Sequence, residues 1–300
     1  MEQVKFIINP VTPFNILFWA SFQKRRLING CECSSGRHFL KQVILNGSSY
    51  TIIFSLRNDG CIEVTCIGNI CDSTIFSLKS RIYKMLDIST DSGQIDNFFL
   101  NKTKALFPRA SLRIPGCFSV YEAAVRAVLG QQVSVRRAAE LISLFTELCF
   151  SGHVCYAFPE KEDANPSIKK IASRLPVTQN KRNALIEITE LLMLNSQTDH
   201  IDINDAVYIK GIGPWTIDNI KLRGFMNQDI WMGKDLIIRK VCEQMALPAV
   251  TDSFYNRFAP YRSYLTLNIW HVYNMQNHIY DDMYSVVNTM DSEYILRMSK

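Results

Sequence analysis

Tyr208 to Lys240 reads YIKGIGPWTIDNIKLRGFMNQDIWMGKDLIIRK, and the rest of the chain is organised around this stretch. Gly211-Ile212-Gly213 is a glycine hairpin, followed at once by Pro214 and a helical pattern. Two glycines one residue apart permit a tight turn with dihedrals that other residues resist. Pro214 suits the first position of a helix, where a missing N–H costs nothing. Ile217, Ile220 and Leu222 give that helix an apolar side. Such a turn is expected to leave the amides of Gly211, Gly213 and the first helical turn pointing outward. That makes an anion site, with a phosphate as its natural occupant. Lys210, Lys221, Arg223, Lys234, Arg239 and Lys240 stand against Asp218, Asp229 and Asp235. This basic balance suits a polyanion. On the turn alone, a helical corner with a solvated basic face explains the pattern equally well.

Asp235 precedes Leu236-Ile237-Ile238 and reads as the N-cap of the next helix, which is sufficient structural reason for an Asp. A helix N-terminus also favours negative charge. A carboxylate beside a phosphate-gripping turn suits a reaction that builds positive charge on a sugar. Breaking the bond between a base and its deoxyribose does so, through an oxocarbenium-like transition state.

Three hundred residues at 47% hydrophobic content can bury a substantial core in one to three domains. A net charge of +5 permits nucleic-acid binding without requiring it. The nine cysteines include no C-x-x-C pair, which argues against a zinc ribbon. Their odd, scattered placement suits buried thiols in a reducing compartment. Cys61, Cys66 and Cys71 recur every five residues, a period that would point them to alternating sides of a strand. The five histidines have no metal-ligand spacing. The start MEQVKFIINPVTPF lacks the apolar core of a secretory signal, and no stretch reaches the length of a membrane span. A cytoplasmic protein is expected.

In chain order, Val4–Ile8 has strand composition, Pro10 and Pro13 break it, and Phe14–Phe22 reads as a short aromatic-rich helix. Phe39–Leu45, Tyr50–Leu56 and Ile62–Ile67 read as strands, with hairpin signals at Asn46-Gly47 and Asn58-Asp59-Gly60. Ser77–Leu86 has helical periodicity. This predicts a β-α-β-β-β-α order. Ser89–Gln94 would lie at the edge of that unit, and Asn97–Pro108 would cross to the next. Val120 to Leu129 carries one apolar stripe that Gly130 ends. Gln131-Gln132-Val133 is a short link, and Ser134 a candidate N-cap for Val135–Phe150. Ser151–Pro166 reads as a loop. Ser167–Arg174, Gln179–Leu194, Ile203–Ile209, Ser253–Phe258 and Tyr261–Met275 read as helical.

Ile209-Lys210-Gly211-Ile212-Gly213-Pro214-Trp215-Thr216, with Asp235 about twenty residues on, resembles the helix-hairpin-helix superfamily of DNA glycosylases. Within it the chain is most similar to the bacterial inducible 3-methyladenine DNA glycosylase II type. Arg113-Ile114-Pro115-Gly116-Cys117, Val128 to Val135, and Tyr261-Arg262-Ser263-Tyr264 with Asn268-Ile269-Trp270 agree in order and spacing. The likeness is strong from about Phe107 to Tyr273 and weaker before.

The resemblance implies an α+β N-terminal domain followed by an all-α helix-hairpin-helix glycosylase body, with two helical lobes and a cleft. The expected bounds are 1–107 and 108–280, with 281–300 a C-terminal extension of no assigned role. It implies excision of alkylated purines from duplex DNA without strand cleavage, with Asp235 stabilising the oxocarbenium ion and orienting water. Trp215, Trp270 and Phe22 would form the base pocket. Asn219 and Leu236 stand where the family has tyrosines, which implies a roomier and more polar pocket. Lys210, Gly211, Gly213 and Thr216 would grip DNA. Gln131 and Gln132 would reach the gap in the base stack, with Gln132 replacing a leucine wedge. The carbonyls of Val207, Ile209 and Ile212 would hold a monovalent Na+ or K+. No other cofactor is implied. The expected partner is damaged double-stranded DNA, bound by a monomer without zinc or membrane.

Two rivals remain. A bifunctional oxidised-purine glycosylase/lyase uses a lysine for its Schiff base. In related enzymes that lysine occupies the position of Trp215, and Lys234 lies in a different register. A non-catalytic DNA-binding module would need the hairpin but not Asp235, Trp270 or the glutamine link.

Overall fold

Alternating apolar residues and two tight turns build the first unit. In the computed structural model, which describes residues 2–103, 107, 110–150, 157–194, 202–251, 253–277 and 279, the chain opens with β1 (Glu2–Ile8) and α1 (Ile16–Lys24). Four strands follow: β2 (Glu32–Ser35), β3 (His38–Leu45), β4 (Ser48–Leu56) and β5 (Ile62–Gly68). They form one antiparallel sheet in the order β1-β5-β4-β3-β2. Asn46 and Gly47 both have positive φ (53° and 74°), the primed-turn geometry that matches strand twist. Trp19 of α1, with Leu78 and Ile82 of α2 (Asp72–Met85), packs with Phe39, Ile52, Phe54 and Val64 of the sheet.

The expected element order needs three corrections. β2 adds a strand to the predicted β-α-β-β-β-α series; it is four residues, ECSS, too short and polar to signal itself. Residues assigned to an edge and a crossing form α3 (Ser92–Thr103). Its Gln94 amide is capped by Asp91 Oδ1 at 2.9 Å, and Ile95 and Phe99, at helical spacing, are buried. The predicted 151–166 loop contains α6 (Lys161–Ala164), closed by a capping box between Glu160 and Asp163. Cys66 alone of its predicted trio lies in a strand; Cys61 precedes β5 and Cys71 caps α2.

The remaining regular elements among the described residues are helices, chiefly α4 (Val120–Leu129), α5 (Val135–Cys149), α7 (Ile168–Arg174), α8 (Gln179–Leu194), α9 (Pro214–Arg223), α10 (Leu236–Gln244) and α11 (Arg262–Gln276). Ile203–Tyr208 and Ser253–Phe258, read as helices, are 3-10 turns. Ser119 and Ser134 cap α4 and α5 by accepting from Glu122 and Arg137 amides, and Gly130 closes α4. One core joins α4, α5, α7 and α8 to the hairpin; a second joins α3, α9, α10 and α11 to Phe18 and Phe22 of α1. Helix α1 thus serves the sheet through Trp19 and the helical body through Phe18 and Phe22.

The motif segments act as struts. Arg113 is fully buried and donates to the carbonyls of Asp87 and Thr90, both at 2.6 Å, and to Thr12 Oγ1 at 2.8 Å. Arg262 forks onto Asp229 at 2.7 and 2.8 Å, and Tyr264 donates its hydroxyl to Asp87 Oδ2 at 2.8 Å. Residues 281–300 lie outside the described residues.

Candidate active site

Asp235 caps α10 through its side chain. Oδ1 accepts from the Ile237 and Ile238 amides at 3.0 and 3.3 Å, and from Trp270 Nε1 at 3.4 Å. Oδ2 accepts from Trp215 Nε1 at 3.1 Å. Two backbone amides and two indoles therefore fix the carboxyl plane with donors only. This arrangement suits an acceptor that must hold still beside developing positive charge. The carboxyl lines a cavity of about 1260 Å³ that also takes in Trp215, Trp270, Asn219, Leu236 and Phe22. All the sequence-predicted pocket residues thus reach one space. Leu236 is 67% exposed and sits at the rim.

Phe22 differs from a simple stacking platform. Its ring lies 6.1 Å from Trp270, tilted by 34°. The Arg26 guanidinium covers it at 3.6 Å from the ring centroid, and Arg223 stands 4.9 Å from it. The Phe22 ring is thus packed against a guanidinium. Arg25 and Arg26 belong to none of the motifs. Their signal was two arginines directly following an aromatic-rich helix.

The hairpin glycines divide their roles. Gly211 has φ +96°, and a Cβ there would lie 3.2 Å from the Asn180 carbonyl oxygen, so both dihedral and space call for glycine. Gly213 has φ −103°, accessible to any residue, and nothing lies within 4 Å of a Cβ built on it. The expectation that both glycines answer a dihedral demand holds for Gly211 alone; at Gly213 the backbone faces open space. The Ile212 amide bonds to the Ile209 carbonyl at 3.0 Å, and the Thr216 amide to the Gly213 carbonyl at 3.0 Å, so Thr216 does not present a spare amide. Lys210 is exposed. Val207, 52% exposed, lies in the 3-10 turn before the hairpin, while Ile209 and Ile212 are buried.

Gln131 and Gln132, paired in the sequence reading, part company. Gln131 Nε2 donates to the Gly211 carbonyl and to Thr216 Oγ1, each at 2.9 Å. It braces the link against the hairpin. Gln132 is exposed with φ +53° and lines the cavity. Lys181 Nζ holds the link from below, donating to the Gln131 and Leu129 carbonyls at 2.5 and 3.3 Å.

Behind the cavity lies a buried charge cluster. Lys41 pairs with Glu32 at 2.5 Å and with Glu122 at 2.9 Å. Arg126 pairs with Glu122 at 2.8 Å and Glu32 at 2.9 Å, and donates to the Arg26 carbonyl at 2.9 Å. Two cations and two anions balance. Burial works to raise the Glu122 pKa, but Lys41 and Arg126 outweigh it and bring it from 4.5 down to about 2. The cluster ties β2 and β3 to α4 and fixes the chain that carries Arg25 and Arg26.

Among the described residues, no group of three His, Cys, Asp or Glu side chains could hold a metal ion, and no helix is long and apolar enough to cross a membrane.

No family model matches the chain. It is 30% identical over 210 residues to DNA-3-methyladenine glycosylase 2 of Escherichia coli, a match covering 66% of this chain and 72% of that protein. It is 29% identical over 177 residues to a probable bifunctional transcriptional activator/DNA repair enzyme of Mycobacterium tuberculosis, covering 53% of this chain and 34% of that one. In structure it is similar to a 3-methyladenine DNA glycosylase from Archaeoglobus fulgidus, with TM-score 0.73, 16% identity, and 90% and 98% of the two chains covered. It is also similar to an 8-oxoguanine glycosylase/lyase of Clostridium acetobutylicum in complex with double-stranded DNA, with TM-score 0.64, 13% identity, and 92% and 98% covered. At those identities the two structures bear on the fold alone. The sequence match and the shared fold together place this chain in the DNA-3-methyladenine glycosylase II family of helix-hairpin-helix DNA glycosylases, monofunctional hydrolases of N-glycosyl bonds.

Proposed function

We propose that this protein excises alkylated purines from duplex DNA as a monomer, in a cleft between two helical lobes of the body at 108–280. The observation that carries the reading is the Asp235 carboxylate, held in the cavity by Trp215, Trp270 and the α10 amides. A flipped purine is released when its glycosidic bond lengthens and positive charge gathers on the sugar. Asp235 stabilises that charge and orients the attacking water. An alkylated purine that is already cationic leaves readily, so one carboxylate suffices.

Trp215 and Trp270 wall the pocket, with Asn219 and Leu236 widening it toward its rim. Gln132 fills the gap left in the stack, its amide bonding to the orphaned base. The open backbone at Gly213, with Lys210, grips a phosphate of the damaged strand. The carbonyls of Val207, Ile209 and Ile212 are neutral oxygen donors, a set suited to a monovalent cation that would bridge hairpin and phosphate.

The test is base release from methylated duplex DNA by wild type beside Asp235→Asn. Release by wild type only supports the assignment. Unchanged release by the variant returns the protein to the class of DNA binders. A covalent adduct trapped by borohydride would instead point to Lys234, which lines the same cavity, as a lyase nucleophile.

A further inference from the structure

Most cations that line the cavity are engaged within the protein. Arg126 pairs with Glu32 and Glu122, and Arg136 with Glu140. Arg25 donates to Asn274 Oδ1, and Arg26 and Arg223 donate to the Phe22 and Pro115 carbonyls. Lys234 and Arg239 line the same cavity, are exposed, and make no side-chain hydrogen bond or ion pair among the described residues. They bracket Asp235. Lys234 directly precedes it. Arg239 stands one helical turn after it on the same face of α10, its amide donating to the Asp235 carbonyl at 3.1 Å. Both project from a fixed backbone. The Asp235 amide closes the preceding turn onto the Met232 carbonyl at 2.8 Å, and a Cβ at Gly233 would lie 2.6 Å from Trp231 Nε1. The charge of Lys234 is felt as far as α9: burial raises the Asp218 pKa, and Lys221 and Lys234 oppose that rise.

We propose that Lys234 and Arg239 form a second phosphate clamp, which holds the phosphate on one side of the flipped nucleotide while the Gly211–Gly213 hairpin holds the phosphate on the other. This rests on the base-excision reading above and deepens it. A flipped nucleotide swings about the two phosphates that tie it to its strand. One grip leaves the sugar free to swing. Grips on both phosphates present C1′ to Asp235 in one orientation. The hairpin glycines and the Lys234–Arg239 pair line one cavity, with Asp235 among them.

Electrostatics favours an anion at this clamp. An unneutralised cation next to Asp235 repels the positive charge that gathers on the sugar, and so works against the carboxylate. A phosphate bound between Lys234 and Arg239 cancels that repulsion. The lysine supplies a point charge and the arginine a planar fork, a combination that suits a phosphodiester and reads no base. The two charges therefore answer the backbone and leave the alkylated base to Trp215 and Trp270.

The experiment is single-turnover release of 7-methylguanine from three duplexes. One is natural, one carries an uncharged methylphosphonate linkage 5′ to the lesion, and one carries it 3′ to the lesion. Wild type is compared with Lys234→Arg and with the double variant Lys234→Met, Arg239→Met. On the natural duplex the double variant is expected to be slower by about tenfold to a hundredfold, the worth of hydrogen bonds to a charged group. Lys234→Arg keeps the charge and should keep most of the rate. One methylphosphonate should slow wild type by a similar factor and slow the double variant no further, because clamp and phosphate charge are then both gone. The other, at the hairpin, should slow both proteins equally. Losses that multiply for both linkages, a wild type indifferent to both, or a double variant as fast as wild type on the natural duplex overturns the clamp and leaves the excision reading intact. A wild type that releases no methylguanine from the natural duplex overturns both.

Discussion

Trp215 and Asp235 are twenty residues apart in sequence, yet the indole N–H of one meets the carboxylate of the other at 3.1 Å. A residue expected only to stack on a base therefore also fixes the orientation of the carboxylate. Trp215→Phe keeps the aromatic wall and deletes the donor. Base release is expected to slow by about tenfold to a hundredfold, the worth of a hydrogen bond to a charged group. Single-turnover kinetics beside DNA affinity checks this; a loss of affinity with unaltered rate would assign Trp215 to binding alone.

The two hairpin glycines should respond oppositely to alanine. Gly211→Ala meets φ +96° and the Asn180 carbonyl, and should cost about 1–2 kcal/mol of stability. Gly213→Ala meets nothing within the protein and should fold as wild type. It should nevertheless bind duplex DNA more weakly, because the added methyl group projects where a phosphate would approach. Denaturant midpoints and titrations with undamaged duplex separate the two effects.

Gln131→Ala removes the bonds that join the link to Gly211 and Thr216. The expected loss is about 1 kcal/mol of stability. The DNA affinity should also fall several-fold, because link and hairpin would no longer be held in register. A stable variant with wild-type affinity would show that the brace is dispensable.

The buried cluster behind the cavity predicts a pH response. Glu122 is depressed in the folded protein to about 2 from 4.5, so its contribution to stability is present above pH 4.5 and is lost as pH falls toward 2. Glu122→Gln leaves Lys41 and Arg126 short of one buried anion and should cost about 3–5 kcal/mol at neutral pH. Urea unfolding from pH 7 down to pH 3 should find the gap between wild type and variant narrowing as acid is added.

Much of the site was legible because its residues are local to one another. The N-cap at Asp235, the proline start of α9, the serine caps of α4 and α5 and the Asn46-Gly47 turn all depend on a few adjacent residues. Their hydrogen-bonding and dihedral demands are written into those residue types. α3 and β2 were illegible for the converse reason. α3 has its apolar residues, Ile95 and Phe98 to Leu100, in one short run amid polar ones and depends on packing against Tyr261 and the Ser253–Phe258 turn, while β2 is four residues held by pairing with β3 and by the buried Glu32–Lys41 contact.

The sequence by itself determined the hairpin, the carboxylate that follows it, the family to which the chain belongs and the two tryptophans. Only the tertiary structure decided that both indoles point their N–H groups at that carboxylate, that Gln131 is a brace while Gln132 stays exposed, and that Arg26, just past α1, and Arg223 of α9 cover Phe22. The physical reason is range. Caps and turns are settled within one helical turn of the chain. The direction of a side chain in a cavity built from α1, α4, α9, α10 and α11 is settled by contacts between residues up to 249 positions apart, as Arg25 and Asn274 are.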